Sequence, residues 1–322
     1  FFFGYLMSQK CVLSIQSHVI HGYVGNKCAT FPLQVLGFDV DPVNTVHFSN
    51  HTGYPTFKGE RLAGDQLTSL LEALTENRLV GHSHLLTGYI GNPSTLKAVV
   101  EVLKTLKQQN PACVYLCDPV LGDNGKLYVP HESVEIYRDQ VVEHANIVTP
   151  NQFEAETLSG ISIKSLADAC RVADWFHGKG VQKVVISSVV FPDDDTYRGL
   201  LVLLGSTQGT AEGAPSRFTI EIPTVEGYFT GTGDCLSALI LGWSEFSGPC
   251  EGNLACACEK AVATTQAILR RTIDHSQASL GSDAQVGITR EPRVVAAREL
   301  QLVQSKCDIE NPPVALKAKP LH

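Results

Sequence analysis

The sequence predicts an α/β protein: a central, mostly parallel sheet covered by helices on both faces. Three observations predict it. Strand-like apolar runs alternate with helix-like segments from one end of the 322 residues to the other, the pattern of strands joined by crossover helices. Hydrophobic residues make up 43% of the chain and charged residues 18%, which fits a large core and excludes disorder. Polar clusters follow the predicted strands, and sheets of this kind bind ligands at the carboxyl ends of their strands.

The elements read in order as follows. Residues 11–16 are a short apolar strand, and residues 26–36 a helix that Pro32 kinks or interrupts. Residues 39–48 are a strand around Pro42. Residues 64–77 have helical spacing at Leu67, Leu70, Leu71 and Leu74. A strand at 85–89 leads to a long helix at 93–109 that opens on proline, the residue favoured at the first helical position. Strands at 112–117 and 147–148 flank a helix at 131–145. Helices at 154–158 and 165–179 precede a strand at 184–188. Residues 197–204 and 217–222 form an antiparallel pair. Two helices follow Gly233, the second covering residues 251–271. The loops at 205–216 and 281–290 are expected to be mobile. No domain boundary is visible, so residues 1–322 read as one domain. Residues 1–6 read as a non-native or disordered extension ahead of Met7, without the charged start and long apolar core of a signal peptide.

Composition removes several classes of function. The net charge is −8 and no Lys/Arg patch exists, so nucleic acid is not an expected partner. No run of 18 apolar residues supports a membrane span. The ten cysteines are scattered through apolar segments, which points to a reducing compartment and a cytoplasmic location rather than a disulfide framework. Cys250, Cys256 and Cys258 lie close together but lack a partner pair at metal-binding spacing, so they read as core residues. His47 and His51 have the i, i+4 spacing of a helical zinc pair but fall in a strand and its loop. His82 and His84 read as surface or strand-edge residues.

The most informative segment is Gly231-Thr232-Gly233-Asp234, followed by an apolar helix-like run from Cys235 to Phe246. Glycines let backbone approach a ligand, and a helix N-terminus offers unpaired N–H groups and a positive dipole end. Together they make an anion site. A carboxylate there suits a general base acting beside an anion hole. The same residues also fit an aspartate capping a buried helix, and both readings stand.

Further polar groups end the predicted strands: Ser17 after the first, Thr52 after the second, Tyr89 at the third, Asp118 and Asp123 at the fourth, Thr149, Asn151 and Glu154 at the fifth, Ser187 and Ser188 at the sixth. Asp118, Asp123, Asn151 and Glu154 are oxygen donors of the kind Mg²⁺ takes alongside substrate phosphates. Asn151 and Glu154 equally resemble a capping box. A Gly-x-x-x-x-Gly-Lys-Ser/Thr loop and a Gly-x-Gly-x-x-Gly loop are both missing, which argues against a P-loop enzyme, a Rossmann dinucleotide site and a protein kinase.

Specific motifs then carry a resemblance over roughly residues 12–304. They are Leu13-Ser14-Ile15-Gln16-Ser17-His18-Val19, Gly22-Tyr23-Val24-Gly25-Asn26, Phe48-Ser49-Asn50-His51-Thr52-Gly53-Tyr54, Leu86-Thr87-Gly88-Tyr89, Cys117-Asp118-Pro119-Val120-Leu121-Gly122-Asp123, Thr149-Pro150-Asn151-Gln152-Phe153-Glu154 and Gly231-Thr232-Gly233-Asp234. With them the chain resembles the pyridoxal kinase family of the ribokinase-like superfamily. The resemblance implies a three-layer α/β/α sandwich and ATP-dependent phosphorylation of the 5′-hydroxyl of pyridoxal, pyridoxine and pyridoxamine. Asp234 would be the general base, with Gly231, Thr232 and Gly233 holding the transferring phosphoryl group. Ser17, Val24, Phe48, Thr52 and Tyr89 would meet the vitamer. Asp118, Asn151, Ser187, Ser188, Thr232, Val225, Glu226, Gly227 and Tyr128 would face ATP. Asp118, Asp123, Thr149 and Glu154 would surround Mg²⁺ or another divalent cation such as Zn²⁺. The family also implies K⁺ and a homodimer. Residues 123–129 would form the lid, in a segment shorter than in the animal members. The alternatives are a hydroxymethylpyrimidine kinase of the same superfamily and a non-catalytic vitamer-binding protein.

Overall fold

In the computed structural model the described residues are 10–209, 213–245, 250–281, 284 and 287–321. The expected extension at 1–6, the start at Met7, Phe246 and parts of both expected mobile loops lie outside them. Strand β1 (Cys11–Val19) leads through helix α1 (Asn26–Val35) to β2 (Asp39–Phe48) and the short β3 (Gly59–Arg61). Helix α2 (Gly64–Glu76), β4 (His84–Thr87), α3 (Pro93–Gln109) and β5 (Val114–Cys117) follow. A hairpin of β6 (Gly122–Asp123) and β7 (Lys126–Leu127) precedes α4 (His131–Ile136), β8 (Ile147–Val148), α5 (Gln152–Ser159), α6 (Leu166–Gly178) and β9 (Lys183–Val189). The remainder is β10 (Leu200–Thr207), β11 (Ser216–Pro223), α7 (Thr232–Glu245), α8 (Leu254–Leu280), α9 (Pro292–Ala297), α10 (Lys306–Glu310) and β12 (Lys319–Leu321).

Among the described residues ten strands form one sheet, in the order β12-β11-β10-β9-β8-β5-β4-β1-β2-β3. The run from β2 through β9 is parallel, and the two flanks are antiparallel. Successive strand side chains point to opposite faces, and here both faces are covered. Leu13, Ile15, Leu85, Tyr115 and Ile186 pack with α2 to α6, while Val12, Leu86, Leu116 and Val185 pack with α1, α7 and α8. The expected three-layer α/β/α sandwich of ribokinase-like type is therefore the architecture found.

Several boundaries differ from expectation for local reasons. The helix expected at 131–145 is α-helical only to Ile136, then a π turn over Tyr137–Val141 and a 3₁₀ turn over Val142–His144. The strand expected at 197–204 begins at Leu200, because Asp194 caps a 3₁₀ turn over Asp195–Tyr197. Gly205 accordingly lies in β10 rather than a loop. Helix α8 starts at Leu254, where Asn253 accepts from the Cys256 N–H at 3.1 Å. That turn brings Cys250 beside Cys256, with Cα atoms 5.2 Å apart, and the two form a disulfide. The expectation that both are core thiols is thereby corrected; Cys258 is a buried free thiol. His82 and His84 are buried, not at the surface. His84 opens strand β4, which lies between β1 and β5 in the middle of the sheet, and His82 stands two residues before it; Asp41 is 2.8 Å from His82 and Glu245 3.6 Å from His84.

Candidate active site

From β1 the chain moves to β2 on one side and later to β4 on the other. Such a reversal opens a crevice at the carboxyl ends of the strands. Ser17 sits in this crevice, where the β1–β2 register shifts between Gln16 and His18. A bulge of this kind re-aims a side chain at a strand end. Gly25 then starts helix α1 at φ 49° and ψ −125°, a conformation open to glycine. A Cβ there would lie 2.1 Å from the Ser17 carbonyl oxygen.

The Gly25 N–H donates to Asp234 Oδ2 at 2.7 Å. Asp234 lies within the first turn of α7 and does not cap it. Gly231, just before the helix, has φ +88°, and a Cβ there would meet the Tyr23 carbonyl oxygen at 2.3 Å. The first N–H groups of a helix have no intrahelical partner, so residues 232–234 present donors to the crevice. Burial raises the Asp234 carboxyl to about 6, with the Gly25 N–H acting against the rise.

A hydroxyl chain joins a second carboxylate. Thr149 Oγ1 lies 2.9 Å from Ser237 Oγ, which donates to Asp118 Oδ2 at 2.9 Å. Burial, then the charge of Asp234, pushes Asp118 up to about 8, while Ser237 opposes this. Glu154 is also buried, and burial and Asp118 push its carboxyl well above the usual range. Its two oxygens accept from the N–H groups of Leu121 at 3.0 Å and Asn151 at 2.9 Å. Asn151 Oδ1 accepts from the Glu154 N–H at 2.9 Å, completing a capping box on α5. Asn151 Nδ2 donates to the Gly122 carbonyl at 2.9 Å. The capping box foreseen as one of two readings is thus present, and it fixes the Glu154 carboxylate beside Asp118.

These groups border a cavity of about 740 Å³, within the size range of small-molecule and cofactor sites. Its polar side carries Asp118, Asp123, Thr149, Asn151, Glu154, Ser187, Ser188 and residues 231–234. Its apolar side carries Leu201, Ile222, Val225, Phe229, Val262 and Leu269, with Gly227 and Tyr128 also on the wall. Val24 and Phe48 form a separate apolar cluster with Val19 and Val46, against which Tyr89 packs. The Arg61 guanidinium stands 5.1 Å from the Phe48 ring centroid.

Comparison with known proteins decides the family. A family model described as phosphomethylpyrimidine kinase matches residues 61–285. A pyridoxal kinase of Arabidopsis thaliana is 50% identical over 96% of this chain and 94% of its own length. A pyridoxal kinase of Homo sapiens is 45% identical over 97% of this chain and 99% of its own. The chain belongs to the pyridoxal kinase family. A solved pyridoxal kinase of Leishmania donovani, in complex with ADP and pyridoxamine, superimposes with a TM-score of 0.85 at 38% identity, covering 98% of this chain and 100% of that one.

Among the residues singled out from the sequence, the nucleotide and cation set converges on the cavity, with one exception. Glu226 stands between two lining residues in an irregular turn, and its side chain faces solvent outside the lining. The vitamer set divides. Val24, Phe48 and Tyr89 pack together, Ser17 is buried beside Gly25, and Thr52 is exposed on its loop outside the cavity lining. Sequence reasoning missed Ser237, although its i+3 spacing from Asp234 places both on one helix face. It also missed the turn type of the β6–β7 hairpin. Asn124 (φ 49°) and Gly125 (φ 75°) form the two-residue turn that an Asn-Gly pair signals. Tyr128 follows this hairpin, and burial raises its phenol, reinforced by Tyr228 and Asp123.

Proposed function

We propose that this chain transfers the γ-phosphoryl group of ATP to the 5′-hydroxyl of pyridoxal, and also of pyridoxine and pyridoxamine. The hydroxyl oxygen forms the new bond to the γ-phosphorus, the bond to the β-phosphate oxygen breaks, and the hydroxyl proton passes to Asp234. ADP leaves. The observation that carries this reading is the position of Asp234. It borders the ATP-sized cavity on one side and, through Gly25, joins the Ser17 and Val24 wall on the other.

Each part has a physical task. Phosphoryl transfer is chiefly positioning and charge stabilisation. The N–H groups of residues 231–233 meet the transferring charge. Ser17, Val24, Phe48, Thr52 and Tyr89 hold the vitamer ring. Leu201, Ile222, Phe229 and Leu269 offer the adenine an apolar slot, and Ser187, Ser188, Val225 and Gly227 its polar flank. The hairpin bearing Tyr128 closes over the site and keeps water from competing for the phosphoryl group. The buried, mutually repelling carboxylates of Asp118 and Glu154 fit a divalent cation, which hard oxygen donors favour. Asp118, with Asp123, Thr149 and Glu154 around it, would hold Mg²⁺ or Zn²⁺. Bound there, the ion neutralises phosphate charge. Use of K⁺, a homodimeric state and a cytoplasmic setting rest on the family resemblance.

The test is incubation with ATP, Mg²⁺, K⁺ and pyridoxal while pyridoxal phosphate absorbance is followed. ATP-dependent product is expected. The family model named for a pyrimidine kinase makes hydroxymethylpyrimidine the necessary competitor, and a clear preference for it over pyridoxal would overturn the assignment. Pyridoxal binding without turnover would favour a vitamer carrier.

A further inference from the structure

Glu299 stands two residues past the end of α9, far along the chain from every vitamer-pocket residue, yet its buried carboxylate touches two loops of that pocket. Oε2 accepts from the Tyr23 N–H at 2.9 Å. Oε1 accepts from the Tyr54 phenol at 3.0 Å and lies 3.0 Å from His51 Nε2. It rests directly on the chain at Gly22, where a Cβ would come within 2.3 Å of Oε1. The His51 ring is held from its other side as well, since the Gly53 N–H donates to Nδ1 at 3.1 Å. The ring proton is therefore on Nε2, aimed at Glu299.

We infer that Glu299, acting through His51, Tyr54 and the Tyr23 N–H, is a positioning residue that sets the shape of the vitamer pocket. The His51 imidazole bonds both Glu299 and the Gly53 N–H, and Thr52 is the residue between His51 and Gly53, so the latch fixes where Thr52 stands. On the other loop, Tyr23 precedes Val24 and Gly25. Val24 belongs to the apolar cluster with Phe48, and Gly25 donates to Asp234. One carboxylate thus fixes both loops. Burial alone would raise the Glu299 carboxyl, but the hydrogen bond from His51, with the Tyr23 N–H and the Tyr54 hydroxyl, holds it below the usual range. The ionised form is the one held. Residues 22, 23, 51, 54 and 299 are all outside the lining of the 740 Å³ cavity, so the direct contacts of the latch are with the vitamer-side loops.

This inference rests on the kinase reading, and the experiment separates the two. Glu299→Gln, Glu299→Ala and Tyr54→Phe are compared with the unaltered full chain. The measurements are kcat, KM for pyridoxal, KM for ATP, calorimetric Kd for pyridoxal without ATP, and Tm. The expected result for Glu299→Gln is a rise of about tenfold in KM and Kd for pyridoxal, the scale of one buried charged hydrogen bond. KM for ATP stays within about twofold, and Tyr54→Phe gives a smaller shift of the same sign. A lowered Tm with pyridoxal KM and Kd unchanged, or an equal rise in both KM values, overturns it. Should Glu299→Ala fail to fold, the isosteric Gln and the single-hydroxyl Phe variants decide. Failure of the unaltered chain to bind or phosphorylate pyridoxal would sink the functional reading itself.

Discussion

The Gly25 N–H and the Asp234 carboxylate meet at 2.7 Å across 209 residues of sequence, joining the start of α1 to the first turn of α7. Gly25 can do this because its backbone adopts a conformation that a side chain would block against Ser17. The bond orients the carboxylate, and as an N–H donor it favours the ionised form.

Replacing the base tests its role directly. Asp234→Asn keeps an oxygen for Gly25 but cannot take a proton. We expect kcat to fall by about 10²-fold or more, the range for a lost general base, with calorimetric pyridoxal affinity little changed. A kcat near that of the parent would remove Asp234 from the mechanism.

The pH profile has a defined sign. The carboxylate accepts a proton only when ionised, and burial raises its pKa to about 6. Saturating kcat should therefore hold at higher pH and decline as pH falls through about 6. A profile that stays flat through that region would contradict the assignment.

Asp118 carries the opposite trade. Its folded pKa of about 8 is far above the ordinary carboxylate value, so the fold resists its ionisation. The stability from this group is complete in acid and is lost as pH rises toward 8. In metal-free buffer Asp118→Asn should raise Tm by roughly 1–2 °C near pH 8, for a gain of about 1 kcal/mol in a chain of this length, and by less near pH 5. Turnover with Mg²⁺ and ATP should drop sharply. A Tm difference independent of pH would refute this account.

The glycine loop makes unequal demands. Alanine at 231 would meet the Tyr23 carbonyl at 2.3 Å and the Cys28 sulfur at 2.7 Å, at φ +88°, whereas nothing lies within 4 Å of a Cβ at Gly233. Gly231→Ala should cost about 2 kcal/mol or more of stability, and Gly233→Ala should leave Tm near that of the parent. Equal thermal melts for the two variants would show that the loop relaxes freely.

Much of this was readable from residues. The spacing of apolar positions placed α3 and β2 at their observed bounds, because each is long and punctuated: α3 opens on Pro93, and β2 ends where Phe48 gives way to a polar loop. Long-range pairing was not readable. Nothing local announces that Glu299 meets His51 or that β12 adds to β11. Tertiary geometry alone sets these contacts. The cavity residues were found because strand ends gather them. Glu226, which the family resemblance put with its neighbours Val225 and Gly227, is exposed in an irregular turn outside the lining.

The latch also ties the making of the protein to its use. Tyr23 and Glu299 are 276 residues apart, so at about 5–20 residues per second a ribosome needs roughly 15–55 s between them. Through that interval the early strands can form while the pocket wall lacks its anchor. The fully anchored pocket thus exists only in chains whose synthesis has passed Glu299.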